Sequence, residues 1–406
     1  MSPPQSNAQS SGSPRVGTVT LIALDPEGQP VANAVISYSQ VSHDFLFGTG
    51  STHPSGRYPF SVYEDLEAIG VNYALPFLVW RNTEPNPGQY DWNVTEYLYY
   101  VNELDSRGFV LNAHCFIWLH DAWYNLPAYV RGVDFEEFVS RAYTHTRDIV
   151  TYYKDGIDMW TINEPTFPYA NMLNFTEDQW VELVRTVVQT IREVDLDAQV
   201  MVNVWPSNDP AQDYYPITFL QRLLDEGVDF DVVGVELYPF GVPLDGNGYP
   251  DVGWTSSRLD AFSVISKPIV LSEVGVPYTP SVEAQSQWLR SLYTLAFNKP
   301  YMRGVTWYFA ADDPFLPGAG LMNDDFTPRP IYYTLEDLIA SWTTAEMVTT
   351  NVSGTAMITG YGGEYCASVM TPKCSMATRF HIFERQEYTV TLACHTLYLP
   401  LIISNY

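Results

Sequence analysis

The sequence predicts an α/β protein, a (β/α)8 TIM barrel carrying a small accessory β-sandwich built from the two ends of the chain. Three observations lead there. Over residues 45–344, eight short apolar runs alternate with amphipathic stretches. Those runs are nearly continuous in apolar residues, as parallel strands buried on both faces are. The flanking segments instead alternate apolar with polar residues, the pattern of strands with one wet face. Eight strands is the count at which such a parallel sheet closes. No G-x-G-x-x-G follows the first strand, which argues against an open doubly wound sheet.

The strand candidates, in order, are FLFGTG from Phe45, VNYALPFLVW from Val71, FVLNAHCFIWL from Phe109 and IDMWTINEP from Ile157. AQVMVNVW from Ala198, FDVVGVELYPF from Phe230, PIVLSEVGVP from Pro268 and RGVTWYFA from Arg303 complete the set. Helical spacing appears between them, as in SVYEDLEAIG from Ser61, VTEYLYYVNELDSRG from Val94 and FVSRAYTHTRDIVTYY from Phe138. WVELVRTVVQTIREV from Trp180, ITFLQRLLDEG from Ile217 and AQSQWLRSLYTLAF from Ala284 continue the alternation.

Residues 16–44 hold two or three strands around a D-P-E-G-Q-P turn. Residues 345–406 hold TAMITGY, YCASVM, TRFHIFE and YTVTLAC. Neither piece has enough strands to cover a sheet face alone. They are expected to form one sandwich, with the barrel inserted between them. Residues 1–15 are rich in Ser, Pro, Gln and Asn and read as a flexible leader, of the kind left when a signal peptide is exchanged for an initiator Met.

The formal net charge is −27, from 20 Lys and Arg against 47 Asp and Glu. That field repels phosphate backbones and anionic lipid, so nucleic-acid and membrane-surface partners are disfavoured. Neutral polymers are not penalised. Aromatics reach 15%, with 11 Trp and 29 Tyr, well suited to stacking on sugar faces as well as to core packing. No apolar run approaches the roughly 20 residues that span a bilayer. Cys115 lies in an apolar strand and reads as a buried thiol. Cys366, Cys374 and Cys394 cluster near the C-terminus, where one bridge fits an oxidising compartment, with the pairing open. A secreted monomer is expected.

In such barrels the chemistry sits at the C-terminal strand ends. Strand four ends in Trp160-Thr161-Ile162-Asn163-Glu164-Pro165, and strand seven in Leu271-Ser272-Glu273-Val274-Gly275. Each sets a carboxylate at the last position of an apolar run. Glycoside hydrolysis needs such a pair, one group protonating the leaving oxygen while the other attacks the anomeric carbon, with retention of configuration. That chemistry calls for neither metal nor organic cofactor.

These segments resemble glycosidase clan A, and most of all glycoside hydrolase family 10, the endo-β-1,4-xylanases. The resemblance covers roughly residues 45–340. Thr83 to Tyr90 is similar to the family's T-E-P-x-x-G-x-aromatic segment, and His114 to Trp118 to its H-T-L-V-W. Trp160 to Glu164 is similar to W-D-V-V-N-E, Ile269 to Glu273 to the strand-seven I-T-E, and Gly320 to Tyr333 to the segment ending P-K-P-A-Y-Y. The resemblance implies Glu164 as acid/base and Glu273 as nucleophile. It also implies that Asn163 bonds the sugar 2-hydroxyl, that His114 contacts a neighbouring hydroxyl, and that Trp118 and Trp307 form apolar walls.

Two departures bear on the substrate. The family's strand-two Glu, Asn and Lys, which grip distal sugars, are replaced by Leu75, Pro76 and Val79. Arg81 and a stacking face on Trp80 are the nearby substitutes. The strand-six Q-x-H reads Glu236-Leu237-Tyr238, where Tyr238 is able to donate to the nucleophile and Glu236 adds a third carboxylate. A like charge there raises a neighbour's pKa. The leading expectation is a retaining β-glycoside hydrolase of β-linked plant polysaccharide, xylanase-like. The alternatives are a clan A glucanase, mannanase or galactanase, and a catalytically silent carbohydrate-binding barrel.

Overall fold

The computed structural model describes residues 13–50, 52–53, 56–92, 97–120, 125–206, 215–370 and 375–393. It divides into two compact units, one made of residues 1–45 with 337–406 and the other of residues 46–336.

The first unit opens with β1 (Val16–Leu24) and β2 (Val35–Gln40). In β1 alternate side chains are buried, the period of a strand with one face on a core.

The second unit begins with β3 (Leu46–Gly50), a short hairpin of β4 (Thr52–His53) and β5 (Gly56–Arg57), and α1 (Phe60–Ala68). Then come β6 (Tyr73–Leu75), α2 (Trp80–Thr83), α3 (Tyr97–Ser106), β7 (Val110–Ile117) and α4 (Phe135–Tyr153). They are followed by β8 (Met159–Asn163), α5 (Glu177–Val194), β9 (Gln199–Val204), α6 (Tyr215–Asp225), β10 (Val232–Leu237) and α7 (Val252–Phe262). The unit's remaining strands are β11 (Ile269–Val274) and β12 (Met302–Trp307), with α8 (Val282–Phe297) between them. Helix α9 (Pro330–Ser341) follows, and the division between units falls within it. Local chemistry starts the long helices where they start. Asp134 caps α4 through the Glu137 amide, and Thr176 and Gln179 form a reciprocal capping box on α5.

The eight strands β3, β6, β7, β8, β9, β10, β11 and β12 close into a parallel barrel in that order, β12 pairing with β3 to seal it. The barrel is filled, not hollow. Its floor is a cluster of Leu46, Tyr73, Leu75, Met159, Met201, Val232 and Val270. Side chains two residues further along each strand point the same way. On β7, β8, β9 and β11 these are Asn112, Thr161, Asn203 and Ser272, a polar layer in which Thr161 donates to Asn112 Oδ1 at 2.6 Å and Asn112 Nδ2 to the Tyr73 hydroxyl at 2.7 Å. The next step up the strands reaches the barrel mouth.

The chain returns to the first unit with β13 (Ala345–Thr349), β14 (Thr355–Tyr361), β15 (Gly363–Met370), β16 (Ser375–Ile382) and β17 (Glu387–Ala393). One sheet runs β14-β1-β17 and the other β13-β2-β15-β16. Both cover a single core that includes Val19, Leu21, Ile36, Ile358, Tyr365, Val369, Ile382 and Leu392. The N-terminal strands therefore sit inside sheets completed by the C-terminal ones, with β1 antiparallel to β14 and parallel to β17. Cys366 lies on β15, whereas Cys374 and Cys394 fall outside the described residues. Among the described residues no helix is long and apolar enough to cross a membrane.

Candidate active site

Glu164 follows β8 directly and adopts a left-handed backbone, φ 51°. For a residue with a Cβ this costs about 1–3 kcal/mol and persists only where surroundings enforce it. Here the Asn203 carbonyl on β9 accepts the Glu164 amide at 2.8 Å. The Glu164 side chain is 3% exposed and accepts the indole N–H of Trp118 at 2.7 Å. Burial raises its carboxyl to about 8, and the charge of Glu273 adds to the rise, while the Trp118 bond opposes it.

Glu273 sits on β11, where the pairing with β12 is irregular between Leu271 and Val274. Its Oε1 lies 2.6 Å from His114 Nε2, and its Oε2 accepts the Tyr238 hydroxyl at 2.8 Å. Two hydrogen bonds on one carboxyl group, one to each oxygen, hold it in a single orientation. His114 comes from β7 and is buried, and its Nδ1 meets no hydrogen-bond partner among the described residues. Tyr238 follows β10, and burial together with the Glu273 charge pushes its hydroxyl well above the usual range.

Asn163, the last residue of β8, is buried, and its Oδ1 accepts the Cys115 amide at 2.9 Å. Glu236 stands opposite Glu273 in the β10–β11 pairing and accepts Asn203 Nδ2 at 2.7 Å. Ser272 donates to Asn203 Oδ1 at 2.5 Å, so one amide joins three neighbouring strands beneath the carboxylates.

Two rings expected at the cleft, Trp307 and Trp80, lie elsewhere. Trp307 is fully buried, donates its indole N–H to the Ala319 carbonyl at 2.7 Å and meets Trp288 of α8 edge-on. On β12 the inward positions are Gly304 and Thr306, so the next ring into the mouth is Tyr308, which lies 5.9 Å from His114. Trp80 is also buried. Its face stacks on His145 at 4.4 Å, and its N–H serves Glu84 and Tyr129. It offers no open face to a sugar.

Leu75 and Val79 are likewise buried in the wall, and the half-exposed group at that end of β6 is Phe77, 6.3 Å from His114. Arg81 stands on the exposed side of α2.

Sequence reasoning passed over Asn203, although it interrupts the apolar run of β9 as Glu164 ends that of β8. It also passed over the aromatic bank beside Glu273. Tyr238 and Phe240 stack at 5.3 Å, Trp205 stacks on Phe240 at 5.5 Å, and Phe315 packs edge-on against both Tyr238 and Phe240. A cleft of about 160 Å³ opens behind Trp205, lined by Phe167, Pro168, Tyr215 and Gly241 among others. Among the described residues no group of three or more His, Cys, Asp and Glu gathers to hold a metal ion.

Comparison with known proteins adds to this geometry. The model of glycosyl hydrolase family 53 matches residues 117–296, a stretch that contains both Glu164 and Glu273. The chain resembles the clan A glycoside hydrolases, family 10 among them. Anti-sigma-I factor RsgI6 of Acetivibrio thermocellus is 26% identical over 366 residues, covering 88% of this chain and 45% of that protein. Endo-1,4-beta-xylanase A of Xylanibacter ruminicola is 22% identical over 236 residues, covering 55% of this chain and 60% of that protein. The chain thus spans less than two thirds of the length of either relative. Native xylanase 10B from Thermotoga maritima shares the fold, with a TM-score of 0.59 at 16% identity, over 73% of this chain and 95% of that one.

Proposed function

We propose that the chain is a retaining β-glycoside hydrolase acting on a β-linked plant polysaccharide, with Glu164 as acid/base and Glu273 as nucleophile. The observation that carries this reading is the asymmetry of the pair. Glu273 receives two hydrogen bonds, from His114 and Tyr238, that fix its carboxyl group in one orientation. Glu164, buried and facing Glu273, keeps its proton near neutrality. A carboxyl group that holds its proton beside one locked in place for attack is the arrangement an acid and a nucleophile require. Proton donation from Glu164 to the leaving oxygen accompanies attack by Glu273 at the anomeric carbon. Glu164 then takes a proton from the water that frees the sugar. The aromatic bank from Trp205 to Phe315 suits the apolar faces of pyranose rings.

The resemblance to family 10 and the xylanase named among the relatives make xylan the first polymer to try. Apolar residues at Leu75 and Val79 support weaker grip on unsubstituted xylan at the distal end. A secreted monomer remains part of the proposal. Reducing-sugar release from xylan, β-glucan, mannan and galactan tests the reading directly. Glu273→Ala is expected to abolish release, with azide restoring turnover and inverting the product at the anomeric carbon. Unchanged turnover in that variant would refute the assignment.

A second reading, a sugar-binding barrel without turnover, draws on the relative named as an anti-sigma factor, which matches across 88% of this chain. Saturable binding of a polymer that is never cleaved would favour it.

A further inference from the structure

Three carboxyl groups gather at the barrel mouth, where a retaining glycosidase needs two. Glu236 of β10 is 5% exposed, and among the described residues it accepts a hydrogen bond from Asn203, a neutral amide. Glu273 has two donors and Glu164 an indole N–H. The ionisable groups that feel Glu236 come from five of the strands. They are Glu164 after β8, Glu273 on β11, Cys115 on β7, Tyr238 after β10 and Tyr308 after β12. His114 of β7 faces Glu273, not Glu236; among the described residues no Lys or Arg stands against Glu236, and like charges packed together do not all ionise.

We propose that Glu236 works as a neutral carboxylic acid, a positioning residue that braces Asn203, and through it the backbone of Glu164, without adding a third charge to the pair. The connection is continuous. Glu236 accepts from Asn203 Nδ2, Ser272 fixes Asn203 Oδ1, and the Asn203 carbonyl holds the amide of left-handed Glu164. Burial first, and then the charges of Glu164 and Glu273, hold the Glu236 carboxyl well above the usual carboxylate range, with the Asn203 bond opposing. The catalytic consequence rests on the glycosidase reading, whereas the charge state does not.

The test has two arms on the full-length protein. In the first, side-chain carboxyls of 13C-glutamate-labelled protein are titrated by NMR. Besides the Glu164 signal, identified by its loss in Glu164→Gln, one further carboxyl is expected to stay protonated well above the usual carboxylate range. That same signal should be missing in Glu236→Gln. If every glutamate of the wild type has ionised by neutral pH, the proposal is overturned.

In the second arm, Glu236→Gln is expected to keep kcat/KM within about threefold and to retain the wild-type pH profile, because the amide oxygen still accepts from Asn203. Glu236→Ala should lower kcat by about tenfold or more with KM little changed, as Asn203 loses its partner. An alkaline limb displaced to lower pH in Glu236→Gln would mean that Glu236 is charged in the wild type. A loss equal to that of Glu236→Ala would mean that the neutral isostere does not serve. Either result overturns the proposal. If NMR finds the protonated carboxyl but no polymer is hydrolysed, the neutral acid stands and the glycosidase reading falls.

Discussion

Glu164 is held against its own preferences twice over, by a left-handed backbone and by a buried carboxyl group facing a charge. The second has a thermodynamic signature. In the unfolded chain Glu164 ionises near its ordinary value of 4.5, whereas in the folded protein it does so at about 8. Between those values the folded state binds more protons than the unfolded one. Its contribution to stability is therefore fully present below pH 4.5 and is lost as pH rises toward 8. Glu164→Gln cannot ionise and escapes that loss, which is on the order of a few kcal/mol. The variant should be inactive on polymer yet melt higher than wild type at pH 8, with the gap closing toward pH 4.5. Thermal melts of both proteins across that range check it, and a gap independent of pH would refute the ionisation. The same group should set an alkaline limb of kcat/KM near pH 8. Of this, the sequence shows the glutamate at its strand end. It does not show the groups that hold it, because the Trp118 indole arrives from beyond β7 and the Asn203 carbonyl from β9, at separations that no local pattern encodes.

The strand is the unit that explains which site residues were legible. A carboxylate or amide at the end of an apolar run reads plainly, and Asn163, Glu164 and Glu273 stand together at the mouth for that reason. What the run does not reveal is parity. Trp307 and Tyr308 are adjacent at the end of β12, and the pleat sends one to the helix layer and the other to the mouth. Glu273 itself would face away from its neighbour Ser272 on a regular strand, and the irregular pairing at β11 turns it. Trp80 was misread for another reason. Its helix α2 is four residues long and is held by the buried Glu84–His145 pair, a contact between elements distant in sequence. Helix α7 is hard to read for a third reason, because its buried face mixes Thr255 and Arg258 with Leu259 and Phe262, although the spacing of the strands requires a connection there.

At the barrel seam, a Cβ on Gly304 would stand 2.5 Å from Leu46 Cβ and 2.6 Å from its carbonyl oxygen. Gly304→Ala must therefore push β12 away from β3, and a loss of about 1–3 kcal/mol in chemical denaturation is expected. A variant as stable as wild type would show that the seam is slack.

At the scale of the whole chain, the clearest consequence of the topology is that its two ends fold as one unit. Strand β1 has one neighbour from residues 355–361 and another from residues 387–393, and β2 lies between β13 and β15. Every strand that pairs with β1 or β2 thus lies beyond residue 344. Their alternating patterns are readable in sequence, but pairing between segments more than 300 residues apart is not, except by the argument that neither covers a sheet face alone. Deleting residues from Ala345 onward removes all of those partners at once. Val19, Leu21, Ala23, Ile36 and Tyr38, buried in the intact protein, would lose their cover, and the amides of both strands would lose their ladders. Such strands do not persist alone in water, so the unit should unfold rather than weaken by degrees. Hydrogen exchange in the truncated protein should show the amides of residues 16–24 and 35–40 exchanging at the rate of an unstructured chain, where the full-length protein protects them. Limited proteolysis should cut within the same stretch. Protection that survived the deletion would mean that β1 and β2 draw their order from something other than the C-terminal strands.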